Sequence, residues 1–518
     1  MQTRCDGFQK ATRAIIIRPM HPFLVPIRRG FAHLLLAAAC AAGLHAGVRL
    51  PALISDHMLL QQGVPVRIWG TASPGEEVQV SLQGQQAHAT AGSEGRWAVW
   101  LAPLAPGEPA AMTVTGANAI TINDVLVGEV WVASGQSNMG LTVARSNHAE
   151  EEIARSANPS IRLFQVKRGV ADQPAAEVEG AWAVCGPDSV KEFSAAGYFF
   201  ARDLYAARHV PVGVIHSSWG GTPAQSWTSR AALEAEPLLK FVFDSWEQTL
   251  ARYPEAKARY DKQIAEWKAD SGQPRPQPPQ GPGSPYTPAG LYNAMIAPLT
   301  PYAIRGAIWY QGENNASERQ AWPYRRLFRT LIEDWRRAWG GGDFPFLFVQ
   351  LANFDTNPYW PVLRESQTDA LSLRNTGMAV AIDIGESKDI HPKNKQEVGR
   401  RLALAARHVA YGEDIAYSGP LFRQLTFTSD GRLRVWFDHA EGLAARGGGP
   451  LTGFAVAGAD GNYLPAEAVV EKDTVVVSSP QVKSPASVRY GWAADPVCNL
   501  VNAAGLPASP FRAGERER

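Results

Sequence analysis

The chain has 518 residues, 45% of them hydrophobic and 19% charged, with 50 Lys and Arg against 49 Asp and Glu. That apolar content excludes a chain disordered throughout, and beyond the N-terminus no apolar run of about 18 residues exists to build a polytopic membrane protein. A net charge of +1 leaves no electrostatic footprint for nucleic acid.

Residues 1–30 are basic, with Arg4, Lys10, Arg13, Arg18, Arg28 and Arg29 against Asp6. The apolar run from Phe31 to Leu44 follows and ends in Leu44-His45-Ala46. This order is that of a secretory signal cleaved after Ala46, with an uncleaved anchor as the alternative. Cleavage removes six basic and one acidic residue, leaving 44 against 48 and a net charge of −4. The expected location is periplasmic or extracellular, with no membrane attachment beyond the signal. Cys185 and Cys498 remain; export permits a disulfide between them, and two free thiols fit equally well.

Residues 47–124 predict a β-sandwich-like unit. Apolar and polar residues alternate over 78–82 and 97–101, and Ser73-Pro74-Gly75 and Ser93-Glu94-Gly95 supply turns. From Val125 short apolar runs (125–133, 161–166, 212–217, 304–310, 346–351 and 378–384) alternate with helical periods. Phe193, Ala196, Phe200 and Leu204 form one such period; Val398, Leu402, Ala405 and Val409 form another. Continuous apolar strands between helices predict a parallel sheet covered on both faces, over 125–417. Residues 229–290 interrupt it as a charged helical insertion ending in a Pro-rich loop. Residues 418–518 return to β and predict a second β unit.

Four segments follow predicted parallel strands, so all four can meet at one sheet edge, where open α/β sheets bind ligands. Ser137, in Ser134-Gly135-Gln136-Ser137-Asn138-Met139, suits either a nucleophile or a helix N-cap. Asp389 and His391 suit either a carboxylate–imidazole pair or a solvated loop. Gly220 and Gly221, after the run at 212–217, offer backbone amides that can approach an oxyanion closely. Gln311 and Asn314, at the end of the 304–310 run, offer side-chain amides or simply a turn. Nothing spells a P-loop, a zincin helix, a Cys-x-x-Cys pair or a dinucleotide fingerprint, so no metal site is expected.

Gly135-Gln136-Ser137-Asn138-Met139, Trp219-Gly220-Gly221-Thr222, Tyr310-Gln311-Gly312-Glu313 and Asp389-Ile390-His391-Pro392 resemble, in this order, the blocks of the SGNH hydrolases. They are most similar to the sialate O-acetylesterase branch and its polysaccharide acetylesterase relatives. Residues 53–61 and Trp69-Gly70-Thr71-Ala72 resemble the N-terminal β unit of that branch. The resemblance implies a flavodoxin-like three-layer α/β domain flanked by the two β-sandwich-like units. It also implies hydrolysis of acetyl esters on sugar hydroxyls and no required cofactor. By it Ser137 is the nucleophile, His391 the general base and then acid, and Asp389 the orienting carboxylate. The amides of Ser137 and of Gly220 or Gly221, with the side chain of Gln311 or Asn314, form the oxyanion hole. Two departures from the superfamily stand out: the spacing is Asp-x-His, and Lys388 lies three residues before His391. Glu313 is therefore a second candidate acid and Asp383 a third.

The expected partner is an acetylated oligosaccharide or glycan. Hemicelluloses such as xylan or xyloglucan, and O-acetylated sialic acid, both fit. An arginine such as Arg145 near Ser137 favours the sialate. An open cleft built from Trp219, Trp227, Trp309, Tyr310, Trp322, Tyr359 and Trp360 favours hemicellulose, although each of these also suits a core. Two other classes are a non-catalytic carbohydrate-binding protein with a vestigial hydrolase domain, and a lipase or thioesterase with an apolar acyl groove.

Overall fold

A computed structural model describes residues 47–269 and 272–514; the export signal expected over 1–46 lies outside them. The chain begins with six short strands: β1 (Leu59–Gln61), β2 (Val66–Thr71), β3 (Glu77–Leu82), β4 (Gln85–Thr90), β5 (Arg96–Leu101) and β6 (Ala110–Thr115). In β3 and β5 every second side chain is buried, as their alternation predicts. The next strand, β7 (Ala119–Gly135), is 17 residues long. Its first part pairs antiparallel with β6, and its last part is the central strand of a parallel sheet. From Val125 to Gly135 every residue is buried, whereas Ala119–Asp124 is mostly open. The change of pattern at Val125 is thus a change of surroundings along one strand, not a linker.

The parallel sheet adds β8 (Asn158–Gln165), β9 (Trp182–Cys185), β10 (Val212–Ser218), β11 (Gly306–Tyr310), β12 (Phe346–Gln350) and β13 (Thr376–Val380). Their order is β13-β12-β11-β7-β10-β8-β9, parallel throughout except for β9, a short antiparallel edge strand without a clear sequence signal. Strands β10, β11 and β12 are buried at every residue because helices cover both faces. On one face, Phe200 of the helix Ala195–Arg208 meets Trp131 of β7 edge-on at 5.1 Å. On the other, Phe328 and Trp335 of the helix Tyr324–Trp339 pack on Trp309 of β11. The result is the three-layer α/β fold expected, with antiparallel β structure at both ends.

The insertion contains the helices Arg230–Ala235 and Lys240–Glu266; the second buries only Val242 and is otherwise open to solvent. The C-terminal residues form two four-stranded antiparallel sheets and a two-stranded one, with a core that includes Val435, Val456, Val475, Val488 and Phe511. Buried Arg364 ties this unit to the main sheet. Its guanidinium donates to the carbonyl oxygens of Leu351, Ala352, Ala493 and Ala494.

The helix Lys395–Val409 crosses the helix Ala195–Arg208 at Gly399, where an added Cβ would lie 2.5 Å from Phe199 Cβ and 2.6 Å from the Phe200 nitrogen. Backbone on the far side cannot yield as a side chain can. Gly399→Ala is expected to destabilise the protein by about 1–3 kcal/mol through forced separation of the two helices. Urea unfolding of the two proteins checks this.

Candidate active site

Strands β10 and β11 flank β7 with Ser218 and Tyr310 both opposite Gly135. Three loops therefore leave the sheet at one level. Gly135 has φ 135°, and a Cβ there would stand 2.2 Å from the Tyr310 carbonyl oxygen, so only glycine ends this strand. The Gln136 amide then donates to that oxygen at 3.0 Å, and the one-turn helix Ser137–Gly140 begins. Gln136 occupies the N-cap position, so capping is not the role of Ser137. Ser137 Oγ lies 2.8 Å from His391 Nε2.

His391 sits on the loop between β13 and the helix Lys395–Val409. Within that loop the Asp389 amide donates to Glu386 O, and the Lys393 amide donates to Glu386 Oε1. Asp389 Oδ1 accepts from the backbone amide of His391 at 2.9 Å and lies 3.7 Å from its Nδ1. The carboxylate thus anchors the main chain beside the imidazole and acts on the ring as a nearby charge. The other candidate acids have different partners. Glu313 Oε1 accepts from Asn138 Nδ2 at 2.6 Å, and Asp383 is held by Arg401 and Arg446. Lys388 pairs with Asp355 at the surface.

Gly220 touches the nucleophile turn: a Cβ on it would lie 3.2 Å from Ser137 Cβ. The amides of Ser137 and Gly220 make no hydrogen bond among the described residues. The Gly221 carbonyl accepts from Asn314 Nδ2 at 2.7 Å. The two side-chain amides part company. Gln311 is wholly buried; Nε2 donates to Asn315 Oδ1, Thr222 O and Gln136 Oε1, while Oε1 accepts from Tyr324. Its donors are occupied inside the core. Asn314 is half-exposed and keeps one amide hydrogen in reserve.

The described residues hold a second serine–histidine contact, His216 Nε2 to Ser218 Oγ at 2.7 Å. Both residues are buried, and burial pushes the imidazole down to about 3. Only the Ser137 pair opens to solvent, with the His391 side chain 31% exposed. Partial burial is the largest influence on His391 and lowers it below the ordinary range. Asp389 opposes this, while Lys395 and Arg145 lower it further. Lys395 escaped the sequence reading. It is fully buried under the site, and burial draws its amine down to about 7. The signal was present: Lys395 lies on the apolar stripe of Val398, Leu402 and Ala405.

Around the mouth, Arg145 is exposed, and Arg168 lies over the Trp219 ring at 5.9 Å. Neither arginine meets a carboxylate within ion-pair distance among the described residues. Trp227, Trp309, Tyr310 and Trp360 are core residues; Trp219 and Tyr359 are half-buried, and Trp322 is 45% exposed. No cluster of three His, Cys, Asp or Glu side chains is placed to hold a metal among the described residues.

A profile of the family described as carbohydrate esterase, sialic acid-specific acetylesterase, matches residues 127–408. The chain is 32% identical to the sialate O-acetylesterase of Rattus norvegicus over 93% of this chain and 97% of that one. It is 34% identical to that of Mus musculus over 78% and 82%. Among solved structures it resembles XAC1771, a carbohydrate acetylesterase from Xanthomonas citri, at TM-score 0.79 and 39% identity over 90% of this chain and 99% of that one. The chain therefore belongs to the sialic acid-specific acetylesterase family of carbohydrate esterases, within the SGNH hydrolases, and is a carboxylic ester hydrolase.

Proposed function

We propose that this chain is an exported O-acetylesterase that uses Ser137, His391 and Asp389 to remove acetyl groups from O-acetylated sialic acid. The contact of 2.8 Å between Ser137 Oγ and His391 Nε2, beside two unoccupied amides, carries the reading. His391 takes the hydroxyl proton as Oγ attacks the acetyl carbonyl carbon. The oxyanion is met by the Ser137 and Gly220 amides and by Asn314 Nδ2, each aligned donor contributing about 3 kcal/mol. The imidazolium, favoured by the Asp389 charge, then protonates the departing sugar oxygen. Water repeats the two steps to release acetate and restore Ser137.

Arg145 and Arg168 support an anionic sugar, because beside the nucleophile turn both present guanidinium groups that pair with no carboxylate among the described residues. The relatives described as sialate O-acetylesterases support the same class. An acetylated hemicellulose is the second reading, favoured by half-exposed Trp219 next to Gly220. Export is supported by the basic segment, the apolar run and the small-residue pattern ending at Ala46; the mature protein is expected to begin at Gly47 when its N-terminus is sequenced from a periplasmic or culture fraction.

Ser137→Ala should abolish p-nitrophenyl acetate hydrolysis and leave Tm within a few degrees; retained turnover removes the nucleophile assignment. The base must be neutral, so kcat/KM should reach its plateau from an acid limb lying below 6.5. Asp389→Asn should move that limb to lower pH, because the carboxylate raises His391, and Arg145→Ala should move it upward. At a pH above both limbs, Arg145→Ala should raise KM for O-acetylated sialic acid about tenfold and leave KM for acetylated xylan unchanged. Equal effects on both substrates would favour the hemicellulose reading.

A further inference from the structure

We propose that Lys395 is a positioning residue that, through Asn138 and Glu313, pins the His391 loop to the Ser137 turn. Its Nζ donates to Asn138 Oδ1 and to the Pro392 carbonyl oxygen, both at 2.7 Å. Asn138 Nδ2 donates to Glu313 Oε1 at 2.6 Å and to the Ile390 carbonyl oxygen at 2.9 Å. The carbonyls on both sides of His391 are thus held by one connected pair of side chains, and Asn138 adjoins Ser137 in the chain.

The amide of Asn138 has a single workable orientation. The Ile390 carbonyl oxygen and an ionised carboxylate only accept, so Nδ2 must face Ile390 and Glu313, and Oδ1 is left to accept from Lys395. The two charged groups therefore act as a key that sets the Asn138 rotamer and, with it, the distance between nucleophile and base. The lysine is 0% exposed and lies 5.2 Å from the centre of the Tyr310 ring, so water cannot substitute for it. Glu313 Oε2 is sealed from solvent and has no hydrogen-bond partner among the described residues. Such an arrangement is costly to bury and does nothing for the sheet itself; what it joins is the two loops bearing Ser137 and His391. Asp389, at 3.7 Å from Nδ1, cannot by itself set the ring in place, which leaves that task to the loop anchors.

This rests on Ser137 and His391 as the reacting pair, which Ser137→Ala tests separately. Lys395→Met keeps the volume and removes both donors, but leaves the Glu313 carboxylate buried without its countercharge. Lys395→Met combined with Glu313→Gln removes the charge imbalance while the Pro392 anchor stays lost. For the single variant kcat on p-nitrophenyl acetate should fall about 100-fold, with KM within about threefold, as for a misplaced catalytic group. The charged groups acting on His391 are Asp389, Lys395 and Arg145, and those acting on Lys395 are Glu313, Glu386 and Asp389. Loss of the lysine should therefore also move the acid limb of kcat/KM to higher pH. In the double variant Tm should return toward that of the unmodified protein while kcat stays low. Recovery of kcat together with Tm, an unshifted acid limb in the single variant, or unimpaired turnover without Lys395 would each overturn the proposal. So would failure of both variants to fold, since the pair would then serve the fold and not the loop.

Discussion

Gly135 has no room for a side chain, and the whole site is built on that close approach. Because Tyr310 and Ser218 stand directly beside it, three adjacent parallel strands stop at one level and release three loops into one crevice. The crossing from β10 to β11, on opposite sides of β7, makes this the switch point of the sheet, where such folds open for ligands. Ser137, Gly220 and Asn314 come one from each loop. The fourth contributor, His391, arrives from the edge of the sheet and needs separate support.

Much of this was legible in the residues because each signal was physical and local. Runs such as Val212–Ser218 announce a strand buried on both faces, and small residues after them announce room at the strand end. The unresolved choice between Gln311 and Asn314 shows where local signals stop. The two lie three residues apart in one turn, and only tertiary hydrogen bonding turns Gln311 into the core and leaves Asn314 at the mouth. Lys395 stops at a related point: its place on the apolar helix stripe marks a buried cation, but its partners come from loops more than 80 residues away and only the fold brings them to it. Likewise, the continuity of β7 across residue 124 could not be inferred from composition, because burial changes there while the backbone continues.

The charges around the site divide by their surroundings. His216 and His391 both face a serine at hydrogen-bond distance, yet His216 is walled in with Gln165 and held neutral far below any working pH. His391 is half-open and has a carboxylate close enough to favour its cation. A base must gain a proton and lose it again within each turnover, so the half-open ring with a nearby anion is the one equipped for the task. Partial burial, and after it Lys395 and Arg145, act in the opposite sense and lower that ring.

Arg364 couples the C-terminal β unit to the loops around the site. Its guanidinium spans the carbonyls of Leu351 and Ala352, at the end of β12, and those of Ala493 and Ala494 in the C-terminal unit. Asn353, next in the chain, donates to Asp495 and accepts from the Gly385 amide, and the Asp355 amide donates to the Ser387 carbonyl. Ser387 lies on the same short loop as Asp389 and His391. A continuous series of hydrogen bonds therefore runs from the C-terminal unit, through the loop after β12, to the loop carrying His391. Lys395 holds that loop from beneath and the C-terminal unit holds it from the side. The small β unit is thus part of the backing of His391: without it, Asn353 and Arg364 would lose the partners that fix the outer wall of the crevice.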